Sequence, residues 1–590
     1  MQSAKANAVA GRPFLSIWRY NRPYWRQYLL GAVLAVFFVS ISLAVPAIVK
    51  MVVDDFQAGV MTLERLLSYF GLLLAAALAT GIARYYQRIL MIGASRKFEY
   101  DLRNDYFRHV QRQSRSFFNR MRTGDIMARS TNDLNFVRSF IGPGVMGTVD
   151  MVRLPFTLGF MFYLSPWLTL IALLPMPVVS LMVYVFLTFI HRQSKQVQEQ
   201  FSTVTALAQE NLAGARVVRA YGIEDRELEA FRRESDVYLR KNLKLAAIHS
   251  LAWPMIGLSI AATTVLIIWQ GGIGAIEGHI SLGDLTGFIF CLGLLAWPLV
   301  EFGWVLTLYQ RGVVGMNRIN EILTLEPEIQ DSEDTRYDIE RIRGDICFEH
   351  VTFAYDHQPA LQDVSFEMEA GQTLAVVGPT GAGKSTLISL INREHDPEEG
   401  RVLIDGEDAR RIPLRVLRGA IGYVPQETFL FSDTVWNNLT FGQPDAAPER
   451  VTTACEVAQF METVEELHDG FDTLLGERGV NLSGGQKQRL AIARALICDP
   501  SILLLDDALS SVDTHTEERI LQGLKQETAD CSAVLISHRV STVQHADLIL
   551  VLEEGRIVEQ GTHGGLVAQG GLYASMHERQ LLEDELDETE

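Results

Sequence analysis

Residues 378–386 read Gly-Pro-Thr-Gly-Ala-Gly-Lys-Ser-Thr, between an apolar run at 373–377 and a second at 387–391. The first run predicts a buried strand and the second an apolar helix. This is the strand–loop–helix context that a G-x-x-x-x-G-K-S phosphate loop requires. Gly378, Gly381 and Gly383 let the backbone curl round phosphates without Cβ clashes, with Pro379, Thr380 and Ala382 between them. The helix start adds unpaired N–H groups and a positive dipole end. Lys384 is expected to neutralise β- and γ-phosphates and Ser385 to ligate Mg2+, with Thr386 closing the motif. Residues 502–507, Ile-Leu-Leu-Leu-Asp-Asp, predict a second buried strand ending on Asp506, which would hold the same Mg2+ directly or through water. Many strands end in Asp, and it is the phosphate loop upstream that makes this pattern specific.

Towards the N-terminus the composition changes. Residues 27–49 carry no charge over 23 positions, enough for a helix to cross about 30 Å of hydrocarbon. Residues 66–83 are a second uncharged run of 18. No charge occurs from 154 to 190, and Ser165-Pro166 supplies a turn there, giving a third span near 139–163 and a fourth near 167–190. Residues 251–276 give a fifth span, and 285–300 the core of a sixth that continues as helix to about Arg318. The expected fold is therefore an all-α polytopic membrane domain of six long helices followed by an α/β P-loop domain. Its divisions are 1–26, an interfacial segment; 27–318, the membrane domain; 319–344, a linker; 345–580, the nucleotide-binding domain; and 581–590, an acidic tail.

Charge orients the spans. The first 26 residues carry five Lys/Arg and no acid, and loops 92–138 and 191–245 carry ten each. The connections at 50–65, 164–166 and 271–284 carry two, none and none. The basic segments, both termini and the nucleotide-binding domain are thus expected in the cytoplasm. The long loops are helical in pattern. Their tips near 117–129 and 220–231 either contact the nucleotide-binding domain or are simple solvated hairpins. Within the spans, Asp150 and Arg153 are expected to pair along one helix, and Arg84 and Arg88 to sit at the interface. Glu301 either lines a polar cavity or lies near the inner headgroups.

The whole chain of 590 residues has net charge −19, but residues 345–590 hold 17 Lys/Arg against 43 Asp/Glu. So acidic a half repels nucleic-acid phosphates and excludes a general nucleic-acid binder. The five cysteines are scattered with no CxxC, which argues against a zinc ribbon or a disulfide framework.

Residues 482–486 read Leu-Ser-Gly-Gly-Gln and open an amphipathic helix, 20 residues before the end of the Asp506 strand. This resembles the signature of ATP-binding-cassette proteins, and other parts follow in that family's order. Tyr355 resembles the aromatic that stacks on adenine. Gln426 resembles the loop glutamine that senses Mg2+ and meets the membrane half. Glu477 and Arg478 resemble the segment that touches coupling helices in exporters, Asp513 the D-loop aspartate, and His538 the switch histidine near the γ-phosphate. With six spans, the resemblance is to an exporter half-transporter of a bacterial inner membrane. It implies that ATP and Mg2+ are bound, that two halves pair, and that Leu482, Ser483, Gly484, Gly485 and Gln486 serve the partner's ATP. It also favours coupling helices at 117–129 and 220–231.

One position departs from that family. Asp507 stands where a catalytic glutamate is usual. The side chain is one methylene shorter, and a displacement of about 1 Å can cost about 10²-fold in rate. Hydrolysis at this chain's own loop is expected to be slow while its signature stays intact. That asymmetry resembles the degenerate-site subunit of heterodimeric bacterial multidrug exporters. A homodimer with two slow sites is the alternative, and an ATP-gated channel or regulator a more distant one. The expected substrate is an amphipathic or hydrophobic drug, lipid or peptide.

Overall fold

The computed structural model describes residues 13–476, 479–527 and 531–587. The chain divides into two compact units. One holds the residues up to Gln111 together with Thr123–Leu325, and the other Arg112–Arg122 together with Glu326 onward.

Among its described residues, the regular elements of the first unit are all helices. After Pro13–Asn21 come Trp25–Gln57, Leu63–Gln111, the run Thr123–Leu164, Pro166–Leu173, Met176–Ala213, Glu224–Ile276 and Leu282–Leu323. Among the described residues, three helices are long and apolar enough to cross a membrane: Pro13–Gln57, Leu63–Gln111 and Thr123–Leu164. Shorter apolar stretches, Ile260–Ile276 and Leu282–Leu295, fall where the fifth and sixth spans are expected. The side chains of 176–184, in the expected fourth, lie outside the described residues. Leu67, Phe70, Leu74 and Leu78 are all more than half exposed on one helix, an apolar outside that suits hydrocarbon rather than water. The interior packs Met161, Leu168, Ile267, Phe288 and Cys291 together.

One expectation about charges in this unit is corrected. Asp150 does not pair with Arg153; its carboxylate takes Arg84 and, at 2.9 Å, the Gln87 amide, both from the neighbouring helix Leu63–Gln111. Met151 and Val152 form a turn that keeps right-handed helical angles, so the chain still runs on, and Asp150 is drawn away by the two partners that the neighbouring helix offers. Arg153 instead lies over the Phe38 ring, 5.0 Å from its centroid. Arg84 is thus the ion-pair partner of Asp150, with its side chain 35% exposed. The Glu301 carboxylate faces Gly147, where an added Cβ would lie 3.1 Å from it.

The expected coupling segment 117–129 is also divided. Residues up to Arg122 belong with the nucleotide-binding unit, and Thr123 begins the next long helix. In 220–231 the chain turns at Gly222, left-handed at φ +62°, between helices Ala215–Tyr221 and Glu224–Ile276. The linker begins later than 319, since the last membrane-domain helix runs to Leu323.

The described residues of the second unit form two sheets. An antiparallel sheet orders β2 (Gln358–Met368), β1 (Ile346–Tyr355), β4 (Glu399–Ile404) and β5 (Glu407–Asp408). A six-stranded sheet orders β10 (Arg556–Gly561), β9 (Leu548–Glu553), β3 (Thr373–Val377), β8 (Ser532–Ile536), β7 (Ile502–Asp506) and β6 (Ile421–Val424). From β9 to β6 the pairing is parallel. Strands buried on both faces explain the unbroken apolar runs of the sequence. Successive residues feed different cores: Ala375 and Val377 face one, Leu374 and Val376 the other.

Candidate nucleotide site

Parallel strands end at a common edge, and ligands bind outside the carboxyl ends of such sheets. Val376 and Asp506 both pair with Ile536, and Val424 pairs with Leu505. The register therefore delivers four segments to one edge: Gly378 after β3, Asp506 and Asp507 at the end of β7, Ser537 and His538 after β8, and Gln426 after β6. The sequence proposed these residues from separate motifs, and the sheet is what brings them to one place.

The loop 378–383 needs its glycines. Gly378 and Gly383 have φ of +147° and +98°, and a Cβ on either would collide with the carbonyl of Leu552 or Ala360. Lys384 folds back to donate to the carbonyls of Gly378 at 2.8 Å and Pro379 at 2.9 Å. The Ser385 hydroxyl donates to Asp506 at 3.0 Å. Burial lowers the Lys384 pKa, against the pull of Asp507 and Asp506. Burial raises that of Asp506, opposed by the Ser385 hydrogen bond. Each charged form would thus gain from an opposite charge brought to it, an anion at Lys384 and a cation at Asp506. A cradle of glycine backbone at a helix start, a buried lysine, and a hard oxygen pair from Ser385 and Asp506 fit a triphosphate with Mg2+.

Asp507 occupies the left-handed region at φ +49°, its N–H donating to Ile536 O at 3.0 Å and its carbonyl accepting the Ser510 hydroxyl at 2.9 Å. The backbone there is pinned, so only side-chain length sets its reach. Gln426 and His538 arrive at the edge exposed, and among the described residues neither is hydrogen-bonded to Ser385 or Asp506. Tyr355 ends β1 and is 40% exposed, so its side chain is accessible for stacking.

Ser483 caps the helix Gly484–Ile497: its hydroxyl accepts from the Gln486 N–H at 3.2 Å, while the Gln486 side chain accepts from the Ser483 N–H at 2.9 Å. Leu482 is buried beneath and Gly484 is exposed. Gly485 passes Ser511 so closely that a Cβ would sit 2.7 Å from its carbonyl oxygen. Asp513 accepts from the Thr516 N–H at 2.9 Å and starts the helix Thr514–Glu527. Glu477 and Arg478 lie outside the described residues, as do residues 588–590 of the acidic tail.

Several residues at this site escaped the sequence reading. Gln488, buried, bonds the Ser510 hydroxyl at 3.0 Å and the Ser511 N–H at 2.9 Å, tying the signature helix to the D-loop. Arg539, next to His538, pairs with buried Glu517 at 2.6 Å. In the segment 112–122, Arg115 pairs with Glu394 at 2.7 Å, and Ser114, Ser116 and Arg120 all converge on Glu328. A polar residue at a core-facing position of an amphipathic helix was a legible signal for Gln488. The charge pairs had none, because each joins residues distant in sequence.

A helical unit with lipid-suited faces, fused to a P-loop unit that carries a second, capped helix start, has the form of a membrane protein with a nucleotide-binding domain. Comparison with known proteins agrees. Residues 28–299 match the ABC transporter transmembrane region and 361–510 the ABC transporter domain. The probable multidrug resistance ABC transporter ATP-binding/permease protein YheI of Bacillus subtilis is 37% identical over 95% of this chain and 97% of its own. The multidrug resistance-like ATP-binding protein MdlA of Escherichia coli is 36% identical over 98% of each, and an ATP-dependent lipid A-core flippase of Syntrophus aciditrophicus is 33% identical over 98% and 96%. A bacterial Atm1-family ABC exporter solved with ATP bound superposes with a TM-score of 0.78 at 28% identity, covering 94% of this chain and 98% of that one. The chain belongs to the ABC transporter family, as an exporter-type protein with fused membrane and ATP-binding domains.

Proposed function

We propose that this chain is one half of an ATP-driven exporter of amphipathic or hydrophobic compounds, acting as the slow-hydrolysing side of a heterodimer. The observation that carries the reading is Asp507 after Asp506, in a chain whose 482–486 signature is complete. The basic loops support six spans with both termini and the ATP-binding unit in the cytoplasm of a bacterial inner membrane. Relatives named for multidrug resistance and for lipid A-core flipping support an amphiphile as cargo.

In this reading Tyr355 stacks on adenine, and Lys384 with the loop N–H groups of 378–386 holds the phosphates. Ser385, Asp506 and Gln426 hold Mg2+, which when bound neutralises charge on the phosphate oxygens. His538 orients the γ-phosphate, and Asp507 orients the attacking water from too far back. Ser483, Gly484 and Gly485 present N–H groups to the ATP of the partner half, and Gln426, Glu477 and Arg478 pass movement to the membrane half. ATP drives closure because it binds the closed pair more tightly than the open one.

The test is ATP turnover and assembly mass of the full chain in lipid, alone and with candidate second halves, native and Asp507→Glu. The heterodimer reading expects turnover only with a second half, little response to Asp507→Glu, and loss of turnover when that half's glutamate is removed. A chain that dimerises alone and accelerates greatly with Asp507→Glu refutes it in favour of a homodimer.

A further inference from the structure

The dipeptide Glu394-His395 lies between two features that the proposed function treats separately. His395 is nearly buried. Its ring lies 5.2 Å from that of Phe353 and meets Tyr355 edge-on at 5.4 Å and 87°. Phe353 meets Tyr355 edge-on at 4.8 Å. Tyr355 is therefore braced by two rings and open elsewhere. The preceding residue, Glu394, accepts from Arg115 at 2.7 Å with its carboxylate largely shielded from water. Arg115 belongs to the segment 112–122, whose Ser114, Ser116 and Arg120 are gathered on the Glu328 carboxylate, so the segment is held as one body.

The turn carrying the dipeptide is rigid. Arg418 donates to the carbonyls of Asn392 at 3.4 Å and Arg393 at 2.8 Å. The Glu394 N–H donates to Ser389 O at 2.8 Å, and Arg393, buried and left-handed at φ +48°, pairs with Asp396 at 3.0 Å. Neighbouring residues on so pinned a turn cannot shift independently. A displacement of the Tyr355 ring therefore reaches Arg115 through two side chains and one peptide bond.

We propose that His395 and Glu394 are positioning residues that link the Tyr355 adenine platform to the segment 112–122, so that seating of the base, and not only of the phosphates, is transmitted to that segment. The proposal rests on the reading of Tyr355 as the adenine-stacking residue. The segment follows directly on the helix Leu63–Gln111 and precedes Thr123–Leu164 in the chain, so whatever orders it acts on the ends of both.

The experiment is hydrogen exchange by mass spectrometry on the full chain in lipid nanodiscs with Mg2+. It compares saturating adenylyl-imidodiphosphate with saturating inorganic tripolyphosphate, which lacks the base. In the native chain the amides of 112–122 should exchange about three- to tenfold more slowly with the nucleotide, the worth of one aromatic edge contact. His395→Ala should erase that difference and His395→Phe should retain it, with protection of the helix Lys384–Ile391 unchanged in both as the sign of a folded site. Equal protection by the two ligands in the native chain, or a difference that survives His395→Ala, overturns the link. Nucleotide affinity of Tyr355→Ala separates the two readings. No weakening removes the adenine platform itself, whereas weakening combined with base-independent protection of 112–122 removes only the link.

Discussion

Glu517 offers the sharpest test of how this ATP-binding unit holds the chain beside His538. Its side chain is 3% exposed. One carboxylate oxygen pairs with Arg539 at 2.6 Å and the other takes the Thr542 hydroxyl. Arg539 also donates to Val512 O at 3.1 Å, so a single guanidinium joins the D-loop, the helix Thr514–Glu527 and the chain next to His538. Replacing Glu517 with Gln keeps the shape and removes the charge. Breaking a fully buried pair costs 3–5 kcal/mol, but the Arg539 side chain is 37% exposed and water recovers part of that. A discounted loss of about 2 kcal/mol, roughly 30-fold in a local opening equilibrium, is expected. Hydrogen exchange on the full chain in nanodiscs reads this directly: amides of 514–527 and 540–543 should speed up about 30-fold while those of β1 and β2 do not. A double change, Glu517→Leu with Arg539→Met, should recover most of the loss, since no charge is then left unpaired. Exchange of Glu517→Gln within threefold of native, or a double variant worse than the single, would refute the assignment of Glu517 as the anchor.

Lys384→Ala should weaken ATP binding about 10²-fold: the charge–phosphate attraction near 4 Å at an effective dielectric of 20 is about 4 kcal/mol, less the carbonyl contacts given up. Fluorescent-nucleotide titration checks it, and a loss under fivefold would contradict the phosphate role. Asp150→Asn should leave Arg84 without its carboxylate and lower the thermal midpoint of the detergent-solubilised chain by several degrees, with Arg84→Met/Asp150→Leu restoring it; an unchanged midpoint for the single variant counts against the pair. His395 should make the site pH-sensitive. Burial depresses its pKa, with Glu394, Glu328 and Asp396 pulling it up and Arg115 adding to the depression. A histidine with a folded pKa below its unfolded value stabilises the fold fully above about pH 6.5, and that contribution is lost as pH falls through the folded pKa. Protection of 392–396 should therefore fall between pH 7.5 and 5.5 in the native chain and stay flat in His395→Phe; equal slopes would sink the argument.

The amino-acid sequence alone determined the broad architecture, because its signals are local. Twenty or so uncharged positions in a row make a helix for hydrocarbon wherever they occur, and Gly378 to Ser385 build a glycine loop at a helix start from their own backbone. The signature at 482–486 and the departure at Asp507 are likewise visible in the local sequence. Other features depended on register and packing, which no local pattern encodes. The parallel pairing of β3, β8 and β7 decided that Gly378, Asp506 and His538 share an edge. Packing against the helix Leu63–Gln111 gave Asp150 the partners Arg84 and Gln87 in place of Arg153, three residues along its own chain. The links Arg115–Glu394, His395–Tyr355 and Glu517–Arg539 join residues 22 to 279 positions apart. Their energy comes from burial and from short distances between charges and rings, and both exist only once the chain has folded.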